Sequence, residues 1–206
     1  MSARLIRPDA HRVMAWKNGG GTTAEIAVAP DGAALAGADL ASGAFLWRLS
    51  LARIERDGPF SAFPGIDRTI MLVEGAGMTL SAENGTVISI DCRYVPQDFP
   101  GEWPVDCRLA DGPVRDLNLM VNRARGTRDW EIIELGAKSV RLPARLQVDG
   151  GTLILHMLAG QGVLSGIAGI DAIAAGDSIV ADAADIAAGA TASGSGTLFL
   201  ATIAGR

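Results

Sequence analysis

The stretch TIMLVEGAGMTLSAENGTVISID, from Thr69 to Asp91, decides the fold class. It contains three short runs rich in apolar and β-branched residues, and Gly-containing turns separate the runs. This pattern is typical of half-buried β-strands. The Asn84-Gly85 pair predicts a type I′ hairpin turn, because both central positions of that turn need a positive φ. We therefore expect three consecutive strands here.

Short strands punctuated by Gly, Pro, Asn and Asp continue on both sides of this stretch. We expect Pro30 to end one of them and residues 31–43 to form a loop of small residues, and only ADAADIAAGA (181–190) has the composition of a short helix. Many short strands with regular turns predict an all-β sandwich or barrel. The other predicted strands are EIAVAP (25–30), FLWRLSLARIER (45–56), DLNLMVNR (116–123), WEIIEL (130–135), SVRLPA (139–144), TLILHMLAG (152–160) and TLFLATI (197–203).

A faint internal repeat indicates two related β units. IMLVEGAGMTL (70–80) resembles LILHMLAGQGVLS (153–165), since each has an apolar strand, Gly-x-Gly and a second apolar strand. Such a repeat predicts two barrels in tandem, with a boundary near Gly126. The alternative is that β-meanders of this length all look alike.

Composition limits the function classes. The chain has 206 residues, 49% of them apolar and 20% charged, so it can form one large or two small packed domains. A net charge of −5 disfavours nucleic acid as a partner.

Without a signal-peptide pattern or an uninterrupted apolar span, we expect a soluble cytoplasmic protein with no membrane partner. Cys92 and Cys107 lack zinc-site spacing and are expected to be reduced thiols.

The Gly-rich stretch AWKNGGGTTAEIAVAP (15–30) raises the question of phosphate binding. Lys17 precedes the glycines, so the P-loop spacing fails, and a strand rather than a helix follows, which excludes a dinucleotide-binding turn. Successive glycine amides could still surround an anion, with Lys17 adding charge and Asn18 a polar group. The alternative is a plain turn into a strand. The neighbouring Trp16 and Lys17 favour a ligand loop.

Two predicted strands carry polar side chains on one face. In FLWRLSLARIER, Arg48 and Ser50 alternate with apolar residues, and in DLNLMVNR, Asp116, Asn118 and Met120 share a face. Turned inward, these faces would form a small pocket with converging polar groups. The alternative is an ordinary solvated sheet face.

The segment DGPFSAFPGIDR (57–68) carries turn signals and is expected to be a structured loop. Phe60 and Phe63 could cover a ligand, and Arg68 could bind a carboxylate in a bidentate fork. Alternatively, Asp67 and Arg68 pair with other side chains and fix the loop.

Five motifs together resemble the HutD/Ves family. They are WKNGGGTTAEI, WRLSLARIERDGPFSAFPGIDR, LVEGAGMTL, FPGEWP and DGPVRDLNLMVNR, and they cover roughly the first 125 residues in order. The resemblance implies an all-β bicupin, with residues 1–126 as an N-terminal cupin-type barrel that holds the pocket. Residues 127–206 would form a second barrel packed on the first. It also implies a role in histidine utilisation, in which members bind a small acid such as formylglutamate.

Matched motif by motif, the resemblance gives a set of ligand-binding residues for a small carboxylate or formyl-bearing acid. They are Trp16, Lys17, Asn18, Gly19, Gly20, Gly21, Thr22, Arg48, Ser50, Phe60, Ser61, Phe63, Asp67, Arg68, Asp116, Asn118 and Met120.

Metal and cofactors are not expected. Cupin enzymes commonly use several histidines and a glutamate, whereas this chain has only His11 and His156 and no HxH pair. We expect a solvated His11 and a hydrogen-bonded core or pocket His156.

Two function classes remain at this point. We favour a non-catalytic, regulatory binding protein, with a homodimer left open. The alternative is a metal-independent cupin enzyme, an isomerase, hydrolase or lyase, for which Asp116, Lys17, Asp67 or Glu25 could supply the acid or base. No catalytic residue is assigned.

Overall fold

A computed structural model describes residues 3–30, 43–142 and 151–206. These residues form mostly β-strands, so the prediction of an all-β fold is confirmed. The small-residue loop predicted at 31–43 lies outside the described residues except for Gly43. Within the described ranges, no helix has the length and apolarity needed to cross a membrane. The chain divides into two compact units, His11–Arg125 and a unit that joins residues up to Ala10 to Gly126–Arg206.

The first unit contains two antiparallel sheets among its described residues. The six-stranded sheet contains, in spatial order, β2 (Arg12–Ala15), β3 (Gly21–Ala29), β4 (Trp47–Ile54), β11 (Val114–Asn122), β6 (Ile66–Glu74) and β9 (Gln97–Pro100). The four-stranded sheet contains β5 (Gly58–Pro59), β10 (Val105–Leu109), β7 (Met78–Ala82) and β8 (Val87–Ile90). Strand β3 ends at Ala29, next to Pro30, as predicted.

One apolar core joins these two sheets. Ile54 and Ile70 of the six-stranded sheet pack in the same cluster as Leu80 and Cys107 of the four-stranded sheet. Each side chain in this cluster is almost fully buried, so the sheets face each other as in a sandwich.

The stretch Thr69–Asp91 forms three strands, as predicted, but they belong to different sheets. Strand β6 lies in the six-stranded sheet, whereas β7 and β8 form a hairpin in the four-stranded sheet. Gly77, with φ of 113°, makes the crossing feasible, because a Cβ there would lie 2.8 Å from the carbonyl oxygen of Ile90.

The hairpin turn differs from the predicted type I′ geometry. Gly85 has a positive φ of 86° but Asn84 does not. The Asn84 side chain instead accepts a hydrogen bond from the Thr86 amide at 2.9 Å, and the Gly85 amide donates to the Ala82 carbonyl. The longer loop needs left-handed geometry only at its glycine.

The second unit is built on one sheet among its described residues. Its central path runs β1 (Arg4–Ile6), β16 (Ser178–Asp182), β14 (Thr152–Ile167), β17 (Ile186–Gly205) and β12 (Gly126–Leu135), with β13 (Val140–Arg141) on β17 and β15 (Ile170–Ala174) on β14. Because β1 pairs with β16, residues up to Ala10 belong to this unit and not to the N-terminal one, to which 1–126 had been assigned.

Two further expectations about the second unit are wrong. Residues 181–190 do not form an α-helix, because they contain a three-residue 3-10 helix (Ala183–Asp185) and the start of β17. The stretch 153–165 is one strand and not two. Gly160 lies opposite Gly196, where a Cβ would overlap the Ser195 carbonyl oxygen, so its glycines permit close pairing with β17.

Candidate functional site

Three neighbouring strands bring polar side chains onto one face of the six-stranded sheet. On β11, Asn118 lies opposite Ser50 of β4, and Met120 lies between Arg48 of β4 and Arg68 of β6. Alternate residues of a strand share a face, so this register places these side chains together. They face the interior, since each is at least 94% buried.

The polar residues lie between two apolar clusters. At one end, Ile54, Leu72 and Val114 belong to the core between the two sheets. At the other, Val28 and Ile66 pack with neighbouring apolar residues. Between them lies a cavity of about 550 Å³. It is lined by Trp16, Lys17, Asn18, Thr23, Arg48, Ser50, Ala52, Pro59, Phe60, Ser61, Phe63, Arg68, Asp116, Asn118 and Met120.

Most of the ligand-binding residues named from the sequence line this cavity. Those that do not are Gly19, Gly20, Gly21, Thr22 and Asp67. The set of residues taken from the family resemblance lacks three of the lining residues, Thr23, Ala52 and Pro59. Thr23 lies opposite Ala52, which points to the cavity, whereas Thr22 lies opposite the exposed Arg53. The pairing with β4, which sequence does not give, therefore decides between the two threonines.

The glycine run forms a turn and not an anion cradle. The Gly19 amide donates to the Trp16 carbonyl at 3.0 Å, and the Gly20 amide donates to Asn18 Oδ1 at 2.9 Å. Gly21 begins β3, and its carbonyl accepts from the Trp16 amide. The amides of Gly19 and Gly20 are thus engaged within the turn, which fits the alternative reading of this segment.

Gly21 is required by close strand packing, which gives a stability prediction. A Cβ at Gly21 would overlap the carbonyl oxygen of Arg53 on β4. We expect Gly21→Ala to lower the free energy of unfolding by about 2 kcal/mol or more, since backbone on both sides must move. Gly136→Ala is the control, because a Cβ there meets no atom within 4 Å, and we expect a change within about 0.5 kcal/mol. Urea unfolding measures both, and equal stability of the two variants would contradict the assignment.

Arg48 is held at the cavity wall by a buried ion pair. Its Nε donates to Oε2 of Glu25 at 2.7 Å, and both side chains are 8% exposed. Glu25 lies opposite Ser50 of β4, on the same face as Thr23, and a β-bulge after Glu25 brings Val28 opposite Arg48. Within the described ranges, no residue accepts a hydrogen bond from the two terminal nitrogens of Arg48. Glu25 fixes the guanidinium through Nε and leaves its outer edge to the cavity.

Arg68 lies among aromatic rings. Its guanidinium carbon is 5.3 Å from the ring centre of Phe60, 5.7 Å from that of Phe63 and 5.0 Å from that of Phe99. Such cation–π contacts fix the plane of the guanidinium. Burial lowers the pKa of Arg68 to about 10, which Asp116 opposes and Arg48 reinforces. Arg68 therefore stays cationic at neutral pH.

Asp67 belongs to a separate ion-pair cluster outside the cavity lining. Arg123 donates from Nε to Asp67 Oδ1 at 2.9 Å and from Nη2 to Glu102 Oε2 at 2.8 Å. The hydrogen bond from Arg123 also holds the pKa of Glu102 below its ordinary value. Asp67 thus fixes local structure, while its neighbour Arg68 lines the cavity. Asp67 thus fits the alternative in which side-chain pairing fixes local structure, and carboxylate binding by Arg68 stays a prediction.

Asp116 is a fully buried acid. Its relative exposure is 0%, and neither carboxylate oxygen has a hydrogen-bond partner within the described part of the chain. Burial raises the pKa of Asp116 to about 7, and the Arg68 guanidinium opposes that rise. Neutral pH therefore lies close to the point where the acid changes its charge.

The mouth of the cavity carries exposed polar groups and one aromatic pair. Lys17 and Asn18 are exposed, and Trp16 donates from Nε1 to Thr23 Oγ1 at 2.8 Å. The rings of Trp16 and Phe60 meet edge to face at 6.2 Å. Trp16 and Phe60 can therefore shield part of a bound molecule while Lys17 remains at the entrance.

The histidines and cysteines lie outside the cavity lining. His156 is buried, with Nδ1 2.8 Å from Ser178 Oγ, as expected of a core histidine. His11 is half-buried, not solvated as expected. Cys92 and Cys107 are free thiols. Across residues 3–30, 43–142 and 151–206, no three His, Cys, Asp or Glu side chains lie close enough together to hold a metal ion. That the protein binds no metal stays a prediction.

Comparison with known proteins gives the family. A family model described as HutD matches residues 8–200. The chain belongs to the HutD family. An uncharacterised 21.2 kDa protein in the hutC 3′ region of Pseudomonas putida is 38% identical over 132 residues, which cover 62% of this chain and 63% of the relative. The protein Ves of Citrobacter koseri is 37% identical over 111 residues, 53% of each chain. The matches therefore span about half to two thirds of the length of these curated relatives.

Solved structures support the same family and fold. HutD from Pseudomonas fluorescens SBW25, in a formate condition, superposes with a TM-score of 0.79 at 27% identity over 100% of both chains. An oxalate decarboxylase of Bacillus subtilis superposes with a TM-score of 0.60 at 9% identity, over 98% of this chain and 77% of that one. The second likeness concerns the fold alone. The HutD-family chain thus has the cupin-like β fold that the sequence predicts.

Proposed function

We propose that the cavity of the N-terminal unit binds a small carboxylate, and that this HutD-family protein is a non-catalytic, regulatory binding protein of histidine utilisation. The observation that carries the proposal is the geometry of Arg48. Its Nε is held by Glu25, while its terminal nitrogens face a cavity of about 550 Å³.

An arginine held in this way suits a carboxylate ligand. The guanidinium presents parallel N–H donors that match the two oxygens of a carboxylate. Because the Glu25 bond fixes the side chain, little conformational entropy is lost on binding. Burial excludes competing water and strengthens charge-assisted hydrogen bonds. Ser50 and Asn118, which line the same wall, add neutral polar groups.

The remaining lining indicates a ligand larger than formate. Trp16, Phe60 and Phe63 give the cavity an apolar side, and Lys17 adds a cation at its mouth. A formylglutamate-like acid would use Arg48 for one carboxylate and the aromatic side for its carbon chain. The hutC-region description of the Pseudomonas putida relative supports the link to histidine utilisation. A cytoplasmic location and a homodimer stay predictions.

A metal-independent enzyme is the second candidate, and Asp116 is the observation that favours it. A carboxyl whose pKa is raised to about 7 by burial is suited to proton transfer at neutral pH. Its oxygens are enclosed, however, and no nucleophile–base pair lies beside it among the cavity residues. This arrangement favours binding over catalysis.

A ligand screen tests the proposal. We expect N-formylglutamate to raise the melting temperature and to bind in titration calorimetry with a Kd below about 1 mM, since binding to the native state alone stabilises it. Formate, glutamate and urocanate complete the panel, and taurine, a sulfonate, is the non-carboxylate control. If no acid of the panel binds, the ligand class is wrong. If nuclear magnetic resonance shows an acid being consumed, the enzyme candidate replaces the binding protein.

A further inference from the structure

The buried charges around the cavity balance one another. Among the described residues of the N-terminal unit, the charged side chains that are at least nine-tenths buried are Glu25, Arg48, Arg68 and Asp116. Two are cations and two are acids, so their sum is zero when all are ionised. A carboxylate ligand adds a negative charge to this enclosure. An unbalanced charge in a buried site is costly, and the one cation that the lining adds, Lys17, is exposed to solvent, where its charge is screened. Uptake of one proton by a buried acid restores the balance inside the enclosure.

We propose that the cavity takes up its carboxylate ligand together with one proton, and that Asp116 holds this proton and thereby sets the charge of the ligand accepted. This inference rests on the proposed function. In the step, the Asp116 carboxylate gains a proton from solvent and becomes a neutral carboxylic acid. The ligand's charge then replaces that of Asp116 beside the arginines.

Geometry selects Asp116 as the proton carrier over Glu25. Glu25 accepts the charge-assisted bond from Arg48 Nε at 2.7 Å, and a proton on it would weaken that bond. Asp116 is 0% exposed and accepts no hydrogen bond within the described ranges, so protonation breaks none there. Of the two buried acids, only Asp116 can change charge without disturbing Arg48.

Among the ionisable groups packed around Asp116, the Asp116 carboxyl is the one that changes its charge near neutral pH. Arg68 on β6 and Arg48 on β4 are arginines, and Arg68 keeps its charge with a pKa of about 10. On β10, burial raises the pKa of the Cys107 thiol to about 12, and Asp116 contributes to that rise. Cys107 is therefore neutral between pH 6 and 9. Burial brings the pKa of Asp116 itself to about 7, and an anion beside it would raise that pKa further.

Calorimetry of N-formylglutamate binding in buffers of different ionisation enthalpy tests the proposal, because it counts the protons taken up. We expect the wild type to take up close to one proton at pH 8, and its affinity to fall up to about tenfold between pH 8 and pH 9. Asp116→Asn should take up none, and its affinity should change less than about twofold over this range. Because Asn mimics the protonated acid, this variant should bind more tightly than the wild type at pH 9.

A control variant and the contrary outcomes distinguish a failure of the Asp116 proposal from a failure of the proposed function. Asp106→Asn changes an exposed acid of β10 and should keep the wild-type proton uptake. Binding without proton uptake, or uptake that persists in Asp116→Asn, overturns the role of Asp116. An Asp116→Asn variant that binds more weakly at every pH also overturns it, since that result indicates a structural role. If none of the acids binds the wild type at any pH, the proposed function itself fails.

Discussion

We expect removal of the Arg48 guanidinium to lower the affinity for N-formylglutamate by about ten- to a hundredfold. A charge-assisted hydrogen bond in a desolvated site contributes roughly 1.5–3 kcal/mol, which corresponds to that change in Kd. The single substitution Arg48→Met would leave Glu25 buried without its partner, and breaking such a pair costs about 3–5 kcal/mol of stability. The informative protein is therefore the double variant Glu25→Gln with Arg48→Met, in which no charge is left unpaired.

The matched control lies on the same strand. Arg53→Met removes an arginine from the opposite face of β4, near the end of the strand, where its side chain is 48% exposed and pairs with Glu55. We expect this variant to bind N-formylglutamate within about twofold of the wild type. Titration calorimetry on the three proteins gives the comparison. If the double variant folds and binds as tightly as Arg53→Met, Arg48 is not the carboxylate receptor.

The second large effect concerns stability and pH. The pKa of Asp116 is raised from 3.8 to about 7 in the folded protein, so the native state holds a proton that the unfolded chain releases at lower pH. Its contribution to stability is present below pH 4 and is lost as the pH rises through about 7. We expect Asp116→Asn and wild type to be equally stable near pH 4. At pH 8 the variant should be more stable by up to roughly 4 kcal/mol.

Urea unfolding at pH 4, 6 and 8 measures this difference. Asp106→Asn serves again as the control, because an exposed acid should give a difference near zero at each pH. A stability difference for Asp116→Asn that does not grow between pH 4 and pH 8 would show that the buried carboxyl is not the group that titrates.

The polar wall of the cavity was predictable from sequence because strand periodicity is simple. Arg48 and Ser50 are two residues apart, as are Asp116 and Asn118, and each pair must share a face of its strand. The pattern did not decide whether this face points inward or to solvent, and the structure shows that both faces of β4 and β11 are largely buried. Periodicity therefore groups these side chains, whereas their burial depends on packing in the folded unit.

Features that depend on pairing between distant strands were not predictable. Val28 lies opposite Arg48, on the same face as Glu25, because of a β-bulge between Glu25 and Ala27, and a bulge shifts the alternation without a local signal. Asp67 and Arg68 were assigned to a loop, but they belong to β6, so strand geometry sends them to opposite faces. The adjacent residues therefore have different roles, one with Arg123 and one in the cavity.

The conformation of the turn at Gly19–Gly21 could not be predicted for a different reason. A run of three glycines allows both an anion cradle and a tight turn, and the choice depends on where each amide donates. Here Asn18 Oδ1 and the Trp16 carbonyl accept from two of those amides, and β4 approaches Gly21 too closely for a side chain. The two acceptors are local, whereas the approach of β4 to Gly21 depends on the tertiary structure.

A crystal structure of the protein with N-formylglutamate tests the central claim most directly. The account predicts a ligand carboxylate in the N-terminal cavity, with an oxygen about 2.7–2.9 Å from a terminal nitrogen of Arg48 and with the Glu25–Arg48 pair intact. A ligand bound elsewhere on the chain, or one in the cavity whose carboxylate has no contact with Arg48, would contradict it.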